Sequence, residues 1–140
     1  MNAQRLRFPR SRRLSGNGVF KAILDARVRA DCPAFTLHAA PSTAPETRVG
    51  ISIGRRVGIA SRRNRLKRML REAFRLTQAS HPKDAPAPYD IVLVVRPHEE
   101  LPLAEYERHL LAAIEHVHGV WRKRAARRSD QPGPQPEDSP

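Results

Sequence analysis

The sequence predicts an α+β fold, a compact α/β sandwich in which helices cover a small sheet, and three observations lead to it. Stretches of strand length carry a greasy face or an unbroken apolar run: "AFTLHAA", "TRVGISIG" and "YDIVLVVRP". Between and around them lie segments with apolar residues every three or four positions, the period of a helix with one buried side. The chain has 140 residues, 39% of them hydrophobic. That is enough for one modest core and too little for two.

The elements follow in order. "MNAQRLRFPRSRRL" is a basic arm interrupted by proline, and residues 1–15 are set apart as an N-terminal extension. In "NGVFKAILDAR", Val19, Phe20, Ile23 and Leu24 share one face, which predicts a first helix over about 16–26. A short edge strand is expected near Val28–Ala30. Next come two strands in which Phe35, Leu37 and Ala39 alternate with Thr36 and His38, and Val49, Ile51 and Ile53 with Arg48, Gly50 and Ser52. The turn-forming "PSTAPE" between them predicts that these two strands pair antiparallel. A second helix is expected over about Ile59–Thr77. "YDIVLVVRP" is apolar at successive positions and reads as the central strand, buried on both faces. From Leu103, the series Tyr106, Leu110, Ile114, Val117 and Trp121 predicts a long amphipathic helix. "SDQPGPQPEDSP" has nothing to bury. The domain is therefore placed at 16–125 and a Pro-rich disordered tail at 126–140.

Charge narrows the function. A formal net charge of +12 points to a polyanion, since clustered Lys and Arg neutralise phosphates and release counterions. Nucleic acid leads over an anionic membrane surface. No apolar run approaches the length of a membrane span and no secretory signal pattern is present, so the expectation is a cytoplasmic protein with no membrane partner. Cys32 is the only cysteine, which excludes an intramolecular disulfide and a Cys-rich zinc finger.

The charge is concentrated in "GRRVGIASRRNRLKRMLREAFR", Gly54 to Arg75, where nine basic residues meet one acid, Glu72. On a helix, Ile59, Leu66, Leu70, Ala73, Phe74 and Thr77 form one stripe, while Asn64, Arg65, Arg68, Arg71 and Arg75 face away from it. Such a face is commonly just solvated. Here, however, Arg62, Arg63 and Arg65 occupy the first turns, where the helix dipole already presents positive charge; each is disfavoured by up to about 1 kcal/mol unless an anion is bound. The free N–H groups of the helix start and the flanking Arg55 and Arg56 would suit a phosphate.

The same residues carry a family resemblance. "RVGISIGRRVGIASRRNRLKRMLREAFR" resembles the signature segment of the protein subunit of bacterial ribonuclease P. Arg63, Asn64 and Arg65 match its Arg-Asn-Arg triplet, Lys67 and Arg68 its Lys-Arg pair, and Arg55 and Arg56 a dibasic position usually held by lysines. A weaker likeness covers "RLS" with Phe20, "FTLH", and "YDIVLVVRP" with the helix after it, so the resemblance spans about Arg7 to Trp121.

That resemblance implies an α/β sandwich with about four strands, three helices and a left-handed strand-helix-strand crossover at the signature helix, where ordinary rules give a right-handed one. It implies a protein that is not itself the catalyst. In the family a catalytic RNA subunit, with Mg²⁺ for the holoenzyme, removes the 5′ leader of precursor tRNA; no obligate protein partner and no protein-bound cofactor is implied. Arg55, Arg56, Arg62, Arg63, Asn64, Arg65, Lys67, Arg68 and Arg71 would face RNA. Phe20, His38, Gly50 and Ser52 would line a cleft for the leader. Three positions depart from the family pattern: Leu24 and His38 stand where aromatic residues are common, and Ile59 where Asn is common, which implies weaker leader stacking.

The residues alone also leave other classes open. A helical Phe such as Phe20 serves core packing as readily as base stacking. A structural RNA-binding protein would fit the charge pattern equally well. A protein-only nuclease would need converging carboxylates, whereas the acids are scattered along the chain, and His116 and His118, two apart on a helix, point to different sides.

Overall fold

The computed structural model describes Arg13 and residues 17–130. Among the described residues, three α-helices and a four-stranded mixed sheet make up an α+β domain. In chain order these are α1 (Asn17–Asp25), β1 (Arg29–Asp31), β2 (Phe35–Pro41), β3 (Arg48–Ile53), α2 (Ala60–Thr77), β4 (Tyr89–Val95) and α3 (Leu103–Asp130). Single 3-10 turns, Arg55–Val57 and Gln78–Ser80, flank α2.

The sheet order is β1-β2-β4-β3, with β1/β2 and β2/β4 antiparallel and β3/β4 parallel. This corrects the expected pairing of β2 with β3. The two run in opposite directions, as the turn between them requires, yet β4 lies between them. The reason is apolar pattern: Ile91 and Leu93 are fully buried on one side of β4 and Val92 on the other, so β4 needs cover on both faces and neighbours on both edges. β3, with Arg48, Gly50 and Ser52 on one side, serves as an edge, and α2 carries the chain across from β3 to its parallel partner.

The inner face of the sheet holds the core. Phe35, Leu37, Ala39, Val49, Ile91 and Leu93 meet Leu66, Leu70 and Phe74 of α2 and Tyr106, Leu110, Ile114 and Val117 of α3. Burying each large side chain contributes about 1.5–3 kcal/mol. The stripe expected on α2 is buried except for Ile59, which is 74% exposed: it is the N-cap, one residue before the helix, and the chain there has not yet turned onto the sheet. On the outer face, among the described residues, cover comes from α1. There Ile23 of α1 and Val92 form a small second cluster with Phe20, Ala40 and Val94.

Polar side chains pin the corners. Arg96, just past β4, donates to the carbonyls of Cys32 and Phe35 and to Thr36 Oγ1, closing the turn between β1 and β2. Buried Tyr89 OH lies 2.6 Å from His118 Nδ1, whose Nε2 lies 3.1 Å from Asp84. Because Asp84 accepts, His118 donates from Nε2 and accepts the hydrogen bond of the tyrosine hydroxyl at Nδ1. Burial raises the Tyr89 pKa, keeping that proton in place. Cys32 is half-buried, its thiol donating to the His109 carbonyl at 3.6 Å and pushed up in pKa mainly by burial.

Of the basic arm, Arg13 is described and makes an isolated parallel bridge with Val49; the rest of residues 1–15 lies outside the described residues. So do residues 131–140 of the expected tail, while α3 itself continues to Asp130, beyond residue 125. No described helix is long and apolar enough to cross a membrane.

Candidate nucleic-acid interface

The chain leaves β3 through Gly54 and the 3-10 turn Arg55–Val57, which buries Val57 and leaves Arg55 and Arg56 exposed. Gly58 follows with φ 156°, where a side chain is strained; a Cβ there would also lie 2.7 Å from Arg62 Cδ. The glycine lets Arg62 fold back over the turn. Its Nε donates to the Val57 carbonyl at 3.4 Å, its guanidinium to the His98 carbonyl, and Glu100 lies 4.0 Å away.

Arg62 is therefore occupied within the protein. Helical spacing explains this: it stands four and eight residues before Leu66 and Leu70, on the packed side of α2. Its neighbours differ by degrees. Arg63 donates to the Gly58 carbonyl at 3.0 Å, and Arg65, 62% exposed, pairs with Glu100 at 2.8 Å. Asn64 and Arg68 are exposed and, with Arg55 and Arg56, make no side-chain hydrogen bond or ion pair among the described residues. Lys67 is partly exposed at the flank. Arg71 is half-buried and its pKa is lowered, first by burial and then by Arg13 close by. Glu72, the single acid of the segment, is engaged by Arg75, whose Nε donates to it at 3.0 Å. Ile59 offers no side-chain cap to the first N–H groups of α2, and there is no acid in its first turn.

Strand alternation and register assemble the second group of residues. Arg29, His38, Val92 and Gly50 lie side by side across the four strands, and Asp31, Thr36, Val94 and Ser52 form the next row on the same outer face. Phe20 reaches this face from α1, partly buried against the Ile23 and Val92 cluster. His38, Gly50 and Ser52 are thus brought together on the sheet, with Phe20 arriving beside them. His38 is half-buried, and its Nδ1 has no hydrogen-bond partner among the described residues. Burial and the neighbouring Arg29 hold its pKa below the usual histidine value, partly offset by Asp31. At the end of this face Arg48 and Asp90 form a two-pronged ion pair, both bonds 2.8 Å.

A match to the family model Ribonuclease P covers residues 8–118. The chain belongs to the ribonuclease P protein family. Solved structures agree with this. The ribonuclease P protein of Thermotoga maritima is 28% identical, with a TM-score of 0.62 over 71% of this chain and 92% of that one. The Staphylococcus aureus ribonuclease P protein is 25% identical, with a TM-score of 0.61 over 78% and 94%. A mutant of the S. aureus protein with defective mRNA degradation activity, 22% identical, shares the fold at a TM-score of 0.63. As a ribonuclease P protein the chain is a component of an endoribonuclease complex that processes tRNA, and the family implies association with an RNA subunit.

Within this ribonuclease P protein the cationic segment is not uniform. Arg62 and, in part, Arg65 hold α2 to the His98–Glu100 loop, while Arg55, Arg56, Asn64 and Arg68 point outward. Sequence reading missed that loop. His98 Nδ1 lies 2.7 Å from the Arg96 carbonyl and its Nε2 2.8 Å from Tyr106 OH, which also accepts from Leu101 N–H at 3.2 Å. The only hint in the sequence is "HEE" placed shortly after the central strand. Among the described residues no three of His, Cys, Asp and Glu converge as metal ligands.

Proposed function

We propose that this protein binds the catalytic RNA of ribonuclease P through the exposed cationic face of α2 and the turn before it, and holds the 5′ leader of precursor tRNA on the outer sheet face beside α1. The observation that carries this reading is the arrangement of Arg55, Arg56, Asn64 and Arg68, all exposed and none neutralised among the described residues, around an uncapped helix start. Backbone phosphates would meet both side chains and N–H groups there.

On the outer face, a single-stranded leader would find partly exposed side chains in Phe20, His38 and Ser52, with buried Gly50 adding no side chain between them. The protein's part is binding. Among the described residues no carboxylates converge, and the reading assigns the chemistry to the RNA with Mg²⁺, which the RNA would hold. Lys and Arg would replace part of the cation screening between two polyanions, so the protein should lower the Mg²⁺ requirement.

Single-turnover cleavage of precursor tRNA across a Mg²⁺ series, with RNA alone, protein alone and both, tests this. The expected result is no cutting by protein alone and a lower Mg²⁺ requirement for the mixture. Cutting by rigorously RNA-free protein would overturn the non-catalytic role. No effect of protein on RNA-driven cutting would favour a purely structural RNA-binding protein.

A further inference from the structure

The last turns of α3 are built differently from the rest of the helix. Through Val117 and His118 one face of it is buried, and Trp121 closes the packed part by donating from Nε1 to the Ala39 carbonyl at 2.9 Å. Beyond it, residues 122–127 are all exposed. The sequence there is "RKRAAR", and no acid occurs between Glu115 and Asp130. Arg122 approaches Asp84 at 3.7 Å, whereas Lys123, Arg124 and Arg127 have no carboxylate partner among the described residues. Arg124 stacks on the Trp121 ring, 5.1 Å from its centroid.

Helical spacing sets Lys123, Arg124 and Arg127 along one side. Like charges three and four residues apart repel and weaken a helix, and this one has no core contact to offset them. Basic residues near a helix C-terminus do gain from its dipole, but the gain is confined to the last turn. A bound polyanion would favour the whole arrangement. The family match ends at residue 118, so this basic projection is a feature of the chain outside the matched segment.

Its position matters as much as its charge. The start of α3 lies beside the start of α2, because Arg62 and Arg65 hold the His98–Glu100 loop that leads into Leu103. The end of α3 lies at the opposite end of the sheet, where His118 meets Tyr89 at the beginning of β4. At a rise of about 1.5 Å per residue, Leu103 to Arg124 spans roughly 30 Å.

We propose that Lys123, Arg124 and Arg127 form a second RNA-backbone contact, at the far end of α3 from the loop that Arg62 and Arg65 hold, so that one folded RNA is held at both ends of the domain. The inference rests on the RNA-binding reading above. Two linked contacts on one RNA raise its retention beyond either alone, because the second forms at high effective concentration.

The experiment is a salt titration of binding to a transcribed ribonuclease P RNA. It uses the full-length chain, a Lys123→Gln/Arg124→Gln/Arg127→Gln variant and an Arg55→Gln/Arg56→Gln/Arg68→Gln variant. The α3 variant should keep its melting temperature and bind with a log–log salt slope shallower by about 2 to 3, at 0.7–0.9 per lost contact. A wild-type slope in the α3 variant with a reduced slope in the α2 variant would overturn the second contact and leave the first. Unchanged slopes in both would sink RNA binding as a whole. Vesicles of phosphatidylglycerol provide a further arm: vesicle binding abolished by the α3 substitutions, with RNA binding intact, would overturn the assignment to RNA. Should the triple variant misfold, a photo-crosslinking residue at exposed Ala126 replaces it; a crosslink to the RNA is expected, and none would overturn the proposal.

Discussion

The two faces of the sheet are made by the same strands and do opposite work. On the inner face, Phe35, Leu37, Ile91 and Leu93 are fully buried under two long helices. The outer face carries half-buried His38 and Ser52 beside buried Thr36 and Gly50, and among the described residues one short helix covers it through Ile23 and Val92. The difference teaches where this domain keeps its stability and where the proposed leader site would lie: a face proposed to bind a chain cannot also be sealed by its own helices.

The largest expected effect comes from the inner face. Phe74→Ala removes a fully buried ring between α2 and the sheet and should cost about 3–5 kcal/mol of folding free energy, read by chemical denaturation. RNA binding should then fail only through loss of fold. A cost near zero would mean that the inner face is not the core.

Phe20→Ala is the matching change on the outer face. It should weaken binding of precursor tRNA by about 1–3 kcal/mol while leaving mature tRNA nearly unaffected. Equal losses for both RNAs, or a denaturation shift as large as that of Phe74→Ala, would make Phe20 a packing residue and erase the contrast.

Arg62→Gln probes the region where the two functions overlap. Losing its bonds to the Val57 and His98 carbonyls should destabilise the domain by about 1–2 kcal/mol, since it is partly solvated, with little change in the RNA salt slope. A slope reduced by a full contact with unchanged stability would return Arg62 to the RNA-facing set.

The smallest effect is one of pH. Burial and Arg29 depress the His38 pKa in the folded state, so the folded chain holds the neutral ring more firmly than the unfolded chain does. The contribution is fully present above the ordinary value near 6.5 and is lost as pH falls below it. Stability should therefore decline as pH drops from 7 to 5, and His38→Gln should flatten part of that decline. An unaltered profile would show that His38 is solvated like any surface histidine.

Much of this was legible in the sequence, and the misses have physical causes. The greasy and polar sides of β2 and β3 follow from alternation, and the central place of β4 from its unbroken apolar run. Strand adjacency did not follow, because a turn-forming loop fixes direction but not which strand comes between. On α2, spacing placed Asn64 and Arg68 outward and Leu66 and Leu70 inward. The same spacing puts Arg62 on the inward side, a conclusion hidden by reading its charge as a sign of exposure. Glu100 and His98 were invisible as partners because they reach α2 from a loop more than thirty residues away, as the 36-residue separation of Arg62 from His98 shows.

The position of β4 in the sheet also governs how the domain is assembled as it is synthesised. β1 and β2 can pair as soon as they emerge, but among the described strands β3 is paired with β4, and β4 follows the whole of α2. Until Tyr89–Val95 leaves the ribosome, Leu66, Leu70 and Phe74 have no completed sheet to rest on, and the long-range parallel pairing must await that strand. A growing chain stopped before β4 would carry an exposed apolar stripe on a strongly basic helix, so commitment to the native fold comes late and nearly all at once, when the central strand is delivered.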